Sequence, residues 1–254
     1  MAAEGAGTVG KALSLLSLLG EHPDGATARE VAEASGHHFS TAYRLLRSLV
    51  DTGFVAYTPE DKRYRLGLPV FQLGQKVAHR RGFDGSALPV LQRLAEATGE
   101  SCLLAVLDGD RFLTVLKVDG PEFRITTDPG DHGPLHSAAL GQVLLAFSDD
   151  AAREHLLAEI ELTPRTGATL TDRQVLRARI DEVRERGFSS QSQEHDDGMV
   201  AAAVPVRAEA SGLIAALGLA APLFRTDALG LEAHLPRLRS AAVELAAILP
   251  PRPR

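Results

Sequence analysis

Apolar residues first recur at helical spacing over residues 8–19, where Val9, Ala12, Leu13, Leu16 and Leu19 form a stripe that Gly20 and Pro23 stop. This predicts a first helix. Thr27, Ala28, Arg29 and Glu30 have the form of a capping box, in which hydroxyl and carboxylate satisfy free backbone N–H groups, and a short second helix is predicted to end near Gly36. A third helix is predicted from Ser40, a good capping residue, with Ala42, Leu45, Leu46 and Leu49 on one face. At about 100° per residue, Ser40, Arg44 and Arg47 then point outward. Two strand-like runs, residues 54–57 and 63–66, flank the turn Thr58-Pro59-Glu60-Asp61-Lys62. Three short helices and a hairpin predict a winged helix-turn-helix over residues 1–67.

Pro69 is tolerated in the first turn of a further helix, whose Val70, Leu73 and Val77 make a narrow apolar stripe. Residues 68–83 are read as a linker helix that either seams against a second copy of the chain or packs on its own domain. Beyond it, helical patterns at 88–98, 137–147, 149–160, 172–186 and 227–249 alternate with aliphatic strands at 102–107, 112–118, 200–206 and 213–219. This predicts a mixed α/β domain over residues 84–250, one sheet with helices against it, and a tail at 251–254. The expected fold is α+β in two domains.

Composition narrows the function. The 254 residues are 44% hydrophobic and carry a formal net charge of -6, so nucleic-acid contact requires a local basic patch. Residues 36–65 supply one: Arg44, Arg47, Lys62, Arg63 and Arg65 stand against Asp51, Glu60 and Asp61. The single cysteine, Cys102, excludes an internal disulfide framework and C-x-x-C pairs and is expected in the core. The first 25 residues read as neither a signal peptide nor a membrane span, so a cytoplasmic protein without a membrane partner is expected.

The stretch GHHFSTAYRLLRSLVDTGFV, residues 36–55, carries the most specific chemistry. In a helix-turn-helix the second helix enters the major groove with its N-terminal residues toward base edges, while the wing meets phosphates. His38, Ser40, Thr41, Tyr43, Arg44 and Arg47 are the candidate contacts; the plain alternative is a solvated helix face. Adjacent His37 and His38 make a poor zinc site, because neighbours rarely bind one ion and a structural site needs about four ligands. No metal or cofactor is expected. An enzyme would draw on His132, His136, Glu194, His195, Asp196 and Asp197, yet no nucleophile elbow, H-E-x-x-H, phosphate loop or dinucleotide fingerprint occurs. The chain is read as not an enzyme. A sensor or interaction module without DNA binding is the other alternative. In DHGPLHSAALGQ, residues 131–142, a helix start near Ser137 offers N–H groups and a positive dipole end to a carboxylate, or else serves close packing.

The chain resembles the IclR family of bacterial transcriptional regulators along nearly its whole length. GTVGKALSLLSLL (residues 7–19), STAYRLLRSLVDTGFV (40–55) and YRLG (64–67) resemble its DNA-binding half; LAEATGES (94–101), LHSAALGQVLLA (135–146), VRERGFS (183–189) and AAVPV (202–206) resemble landmarks of its effector domain. The resemblance implies a dimerising linker helix and a GAF-like C-terminal domain that binds a small molecule. It implies a homodimer or homotetramer on a palindromic double-stranded DNA operator, acting on nearby, often catabolic, genes. Ser40, Thr41, Tyr43, Arg44 and Arg47 match the family's groove-facing helix, and Lys62 and Arg63 match its wing.

In members that bind small polar keto acids, the pocket positions correspond here to Ala139, Leu140, Gln191, Ala201, Gly218 and Ala220; Leu135, His136, Ser137 and Met199 complete the expected effector set. Several of these positions carry aspartate, cysteine or serine in such members and Gln191, Ala201, Gly218 and Ala220 here. Fewer polar groups and a wider cavity imply a more apolar organic acid, aromatic or fatty. The expectation is an effector-responsive repressor of a local operon, nucleoid-associated in the cytoplasm, in which the ligand biases the dimer through the linker helix.

Overall fold

A computed structural model describes residues 7–208 and 212–249. Contacts divide the chain between Ala78 and His79 into two compact units.

The first unit contains α1 (Thr8–Gly20), β1 (Ala26–Thr27), α2 (Ala28–Ser35), α3 (Phe39–Asp51), β2 (Val55–Thr58) and β3 (Arg63–Leu66), and α4 (Leu68–Arg80) runs on across the boundary. The strands form an antiparallel sheet in the order β1-β3-β2, so the hairpin gains a third strand too short for alternation to predict. Leu15, Leu19, Val31, Leu45, Leu46, Val55 and Tyr64 meet in its core.

The stripe expected on α1 is corrected in part: Leu19 is buried as expected and Ala12 and Leu16 pack against the core, but Val9 and Leu13 are 73% and 57% exposed, and Leu15, outside the stripe, is buried. The helix is apolar on more than one side, so periodicity alone admits two faces. α3 starts at Phe39, one residue before the expected Ser40 cap, and no side chain caps it; the His38 carbonyl accepts from Thr41 N at 2.9 Å.

The capping box on α2 is present. The Thr27 hydroxyl accepts from Glu30 N at 3.3 Å, and Thr27 N donates to the Glu30 carboxylate at 2.7 Å. Thr27→Ala is expected to cost about 0.5–2 kcal/mol and Thr27→Ser much less, read as the shift in urea midpoint at constant slope.

In the second unit a short π-helical turn (Phe83–Ala87) leads into α5 (Leu88–Thr98), β4 (Ser101–Asp108), β5 (Arg111–Val118), β6 (His132–Pro134), α6 (Ala139–Phe147), α7 (Asp150–Glu159) and α8 (Arg173–Arg186). β7 (Ser189–Ser192), β8 (Met199–Ala208), β9 (Gly212–Pro222), α9 (Ala228–Glu232) and α10 (Leu235–Ile248) complete it. One antiparallel sheet runs β6-β5-β4-β9-β8-β7. Both its faces are buried. Cys102, Leu104, Ala202, Val204, Leu217 and Leu219 pack toward α5 and α10, while Leu103, Ala105, Ala203 and Ala216 pack toward α6 and α8. Burial on two sides explains why these strands read as nearly continuous apolar runs.

The helix expected over 227–249 is broken into α9 and α10. Pro236 sits in the first turn of α10, where it has no N–H to donate back into a continuous helix. α6 begins at Ala139 rather than Ser137, after an extended Ala138. Cys102 is buried, which pushes its thiol up to about 12. Among the described residues, no helix is long and apolar enough to cross a membrane.

Candidate functional site

The outward side of α3 presents Ser40, Tyr43, Arg44 and Arg47 in exposed positions, with His38 exposed just before it and Thr41 half-buried. Neither Arg44 nor Arg47 has an ion pair or side-chain hydrogen bond among the described residues. Other arginines of this unit are engaged: Arg29 pairs with Glu33 at 3.1 Å and Arg65 with Asp61 at 2.6 Å. Arg63, expected on the wing surface, is half-buried and turned inward, its Nη1 donating to the Gly25 carbonyl at 2.6 Å with the Glu30 carboxylate 3.6 Å away. The extra strand β1 pairs with β3 and brings those acceptors within reach. Lys62 keeps the expected position, exposed at the hairpin turn with a left-handed backbone, φ 56°. Two free guanidinium groups on one helix face, with a cation at a nearby turn, are what a polyanion requires.

The second unit encloses a cavity of about 200 Å³ between α6 and the sheet. Ala139, Leu140, Gln191, Met199, Ala201, Gly218 and Ala220 all line it. Gly218 matters here, because a Cβ would lie 2.9 Å from Leu140 Cδ2 and push that side chain, itself part of the cavity wall, out of place. Three expected wall residues do not line it. Leu135 and His136 are 1% exposed and form a turn packed behind the helix start, where His136 Nε2 lies 3.1 Å from the Thr163 carbonyl. Ser137 acts indirectly, its hydroxyl 2.9 Å from Nδ1 of His195, which does line the cavity.

Sequence reasoning missed most of the opposite wall: Leu103, Phe112, Phe123, Ile125, Thr126 and Thr127. Leu103 was recoverable, since it alternates with buried Cys102 along β4. Residues 123–127 lie in the long connection from β5 to β6, which has no periodicity to read. Lys117 pins that connection, donating to the Ile125 carbonyl at 3.0 Å and pairing with Asp119 at 3.2 Å and Asp128 at 2.7 Å. Its ammonium holds the Asp128 carboxyl below the usual carboxylate range.

Burial lowers the His195 imidazole to about 4; Arg165 and His136 push the same way and Asp196 opposes them. It is therefore a neutral wall group at pH 7. Arg165 fixes its loop, donating to the His195 carbonyl at 2.9 Å and to Asp196 at 3.1 Å. Behind the cavity, Glu194 pairs with Arg179 at 2.9 Å and accepts from Gln142 at 3.0 Å, while Gln142 accepts from Ser189 at 2.7 Å. These bonds engage Glu194 and leave no free carboxylate there. Ser137 and His195 have the spacing of a nucleophile and base, but Ser137 is fully buried off the cavity wall. Among the described residues, no group of three His, Cys, Asp or Glu side chains is placed to hold a metal.

Comparison with known proteins agrees with both units. The IclR helix-turn-helix model matches residues 8–59, and the model of the bacterial transcriptional regulator IclR C-terminal domain matches residues 75–247. The chain is 34% identical over 206 residues to the probable transcriptional regulator SauR of Cupriavidus necator, covering 81% of this chain and 82% of that protein. It is 30% identical over 243 residues to the HTH-type transcriptional regulator XynR of Escherichia coli, covering 95% and 96%. The crystal structure of an IclR transcriptional regulator from Alicyclobacillus acidocaldarius superposes with a TM-score of 0.84 at 29% identity, covering 94% of this chain and 97% of that one. These relatives are regulators, not enzymes. With a winged helix-turn-helix, an α/β domain closed around a cavity and family models matched in both, this chain belongs to the IclR family of DNA-binding transcriptional regulators.

Proposed function

We propose that this regulator represses a nearby catabolic operon by binding a palindromic operator as a homodimer or homotetramer, in the cytoplasm and on the nucleoid, under control of a compact apolar organic acid. The cavity carries the ligand reading. Its volume of about 200 Å³ lies below the roughly 300–1,000 Å³ of sites for drug-sized ligands, which favours a single ring or short branched chain. Leu103, Phe112, Phe123 and Leu140 supply apolar contact, and His195 is a neutral polar neighbour. The ligand carboxylate sits at the start of α6, where no side chain caps the first amides and the helix dipole is positive.

His38, Ser40, Thr41, Tyr43, Arg44 and Arg47 meet the bases and Lys62 a phosphate; Arg63 stays within the unit. The dimer reading is supported by Leu68, Phe71, Leu73 and Val77 of α4, all more than half exposed.

Gel shifts on the promoter beside the gene test the reading. Arg44→Ala or Arg47→Ala is expected to weaken binding by about 1–3 kcal/mol with altered sequence preference, and Lys62→Ala to weaken it evenly across sequences. Unchanged affinity in both arginine variants would sink the assigned face. Single-ring and branched aliphatic acids are expected to raise the melting temperature, and stabilisation by short keto acids alone would sink the ligand class. An active acid must change operator affinity by the factor by which operator changes the acid's affinity.

A further inference from the structure

We propose that Phe39 is a specificity-determining residue that reads the C5 methyl group of a thymine in the major groove. The inference rests on α3 being the DNA-reading helix and adds what that helix reads.

Phe39 is the first residue of α3, and its side chain is 56% exposed. A lone exposed apolar side chain is ordinary on a protein surface. This one is neither lone nor casually placed. Its ring stacks on Tyr43, one turn along, with centroids 5.9 Å apart and planes 19° apart. The stack fixes the ring's direction before any partner arrives, so little side-chain freedom remains to be lost on contact. Arg47 lies one turn further on the same row, and Ser40 and Arg44 occupy the next row. An apolar ring thus tips a face that is otherwise hydroxyl and cationic.

The N-terminal residues of such a helix are the ones that approach base edges. There the major groove offers mainly hydrogen-bonding atoms; among the four bases only thymine presents an apolar group, its methyl. Phosphates and sugars give a phenyl ring nothing comparable, and they are matched by cations such as Lys62 at the wing turn. The ring therefore has one complementary target in the groove, and contact there would discriminate thymine from cytosine without a hydrogen bond.

The test uses the full chain and a sequence selected from a randomised duplex pool. Each thymine of that sequence is replaced in turn by deoxyuridine, which keeps the hydrogen-bonding edge and lacks only the methyl. Removal of the methyl at one or more positions is expected to weaken wild-type binding about three- to fivefold, the worth of burying one methyl group. The loss should vanish in Phe39→Ala and persist in part in Phe39→Leu, whose side chain is also apolar. If no methyl matters, or Phe39→Ala shows the same loss, the proposal is overturned. If Phe39→Ala binds too weakly to measure, the Phe39→Leu profile decides, and one identical to wild type in magnitude and position overturns it. Selected DNA whose binding ignores Arg44→Ala and Arg47→Ala would overturn the underlying reading of α3. Dependence on those arginines with indifference to every methyl overturns the thymine contact alone.

Discussion

Replacing Leu46 by alanine is expected to lower the stability of the first unit by about 2–5 kcal/mol, the range for deleting a fully buried leucine and leaving a cavity. Leu46 is 0% exposed and packs with Leu15, Leu19, Val31 and Tyr64 under the helix that carries Arg44 and Arg47. Small domains bury a smaller share of their surface, so a loss of this size is a large part of the total. The measurement is unusually clean. The chain has three tyrosines, Tyr43, Tyr57 and Tyr64, and no tryptophan, so intrinsic tyrosine emission during urea titration reports on the first unit alone. Operator binding should weaken in parallel, because the groove-facing residues share a helix with the lost contact. A shift under about 1 kcal/mol would mean that the packing of α3 differs from that described.

Acidification from pH 7 to 4 is expected to remove about 3 kcal/mol of stability through His195 alone. The folded group titrates at about 4, against an ordinary value of 6.5, because burial disfavours its charged form. Its contribution is therefore complete above pH 6.5 and is lost as pH falls through that window, when the unfolded chain takes up a proton that the folded chain refuses. His136, also lowered by burial, adds loss in the same direction. Urea titrations followed by circular dichroism at several pH values give the profile. In His195→Gln the decline between pH 6.5 and 5 should flatten, whatever the variant's absolute stability. An equally steep decline in the variant would place the protonating group elsewhere.

The sequence announced elements wherever one physical signal acted alone. Thr27 and Glu30 specified the start of α2 because the capping box is local. Leu45 and Leu46 specified the inner face of α3 because its other side is polar. The signal failed on α1, which offers several leucine faces, and at Ser40, where a good capping residue lies one position inside the helix. It failed again at β7, whose sequence Ser-Ser-Gln-Ser has no alternation and is held by its register with β8.

For the cavity, positions on α6, β8 and β9 followed from family resemblance, whereas the wall at residues 123–127 is created by the chain folding back and by the Lys117 ion pairs. Such a wall exists only in three dimensions. Arg63 shows the same limit: wing position predicted an exposed cation, and the Gly25 carbonyl turned it inward.

The buried Cys102 has a practical consequence. A thiol pushed up to about 12 and shielded from solvent holds almost no thiolate at neutral pH, so maleimide and iodoacetamide reagents will pass it by. Since it is the chain's single cysteine, a cysteine introduced on the surface would be the one reactive thiol with Cys102 left in place. A fluorophore at position 60, exposed in the wing turn and outside the assigned DNA contacts, would then follow DNA engagement in real time with Lys62, Arg44 and Arg47 intact.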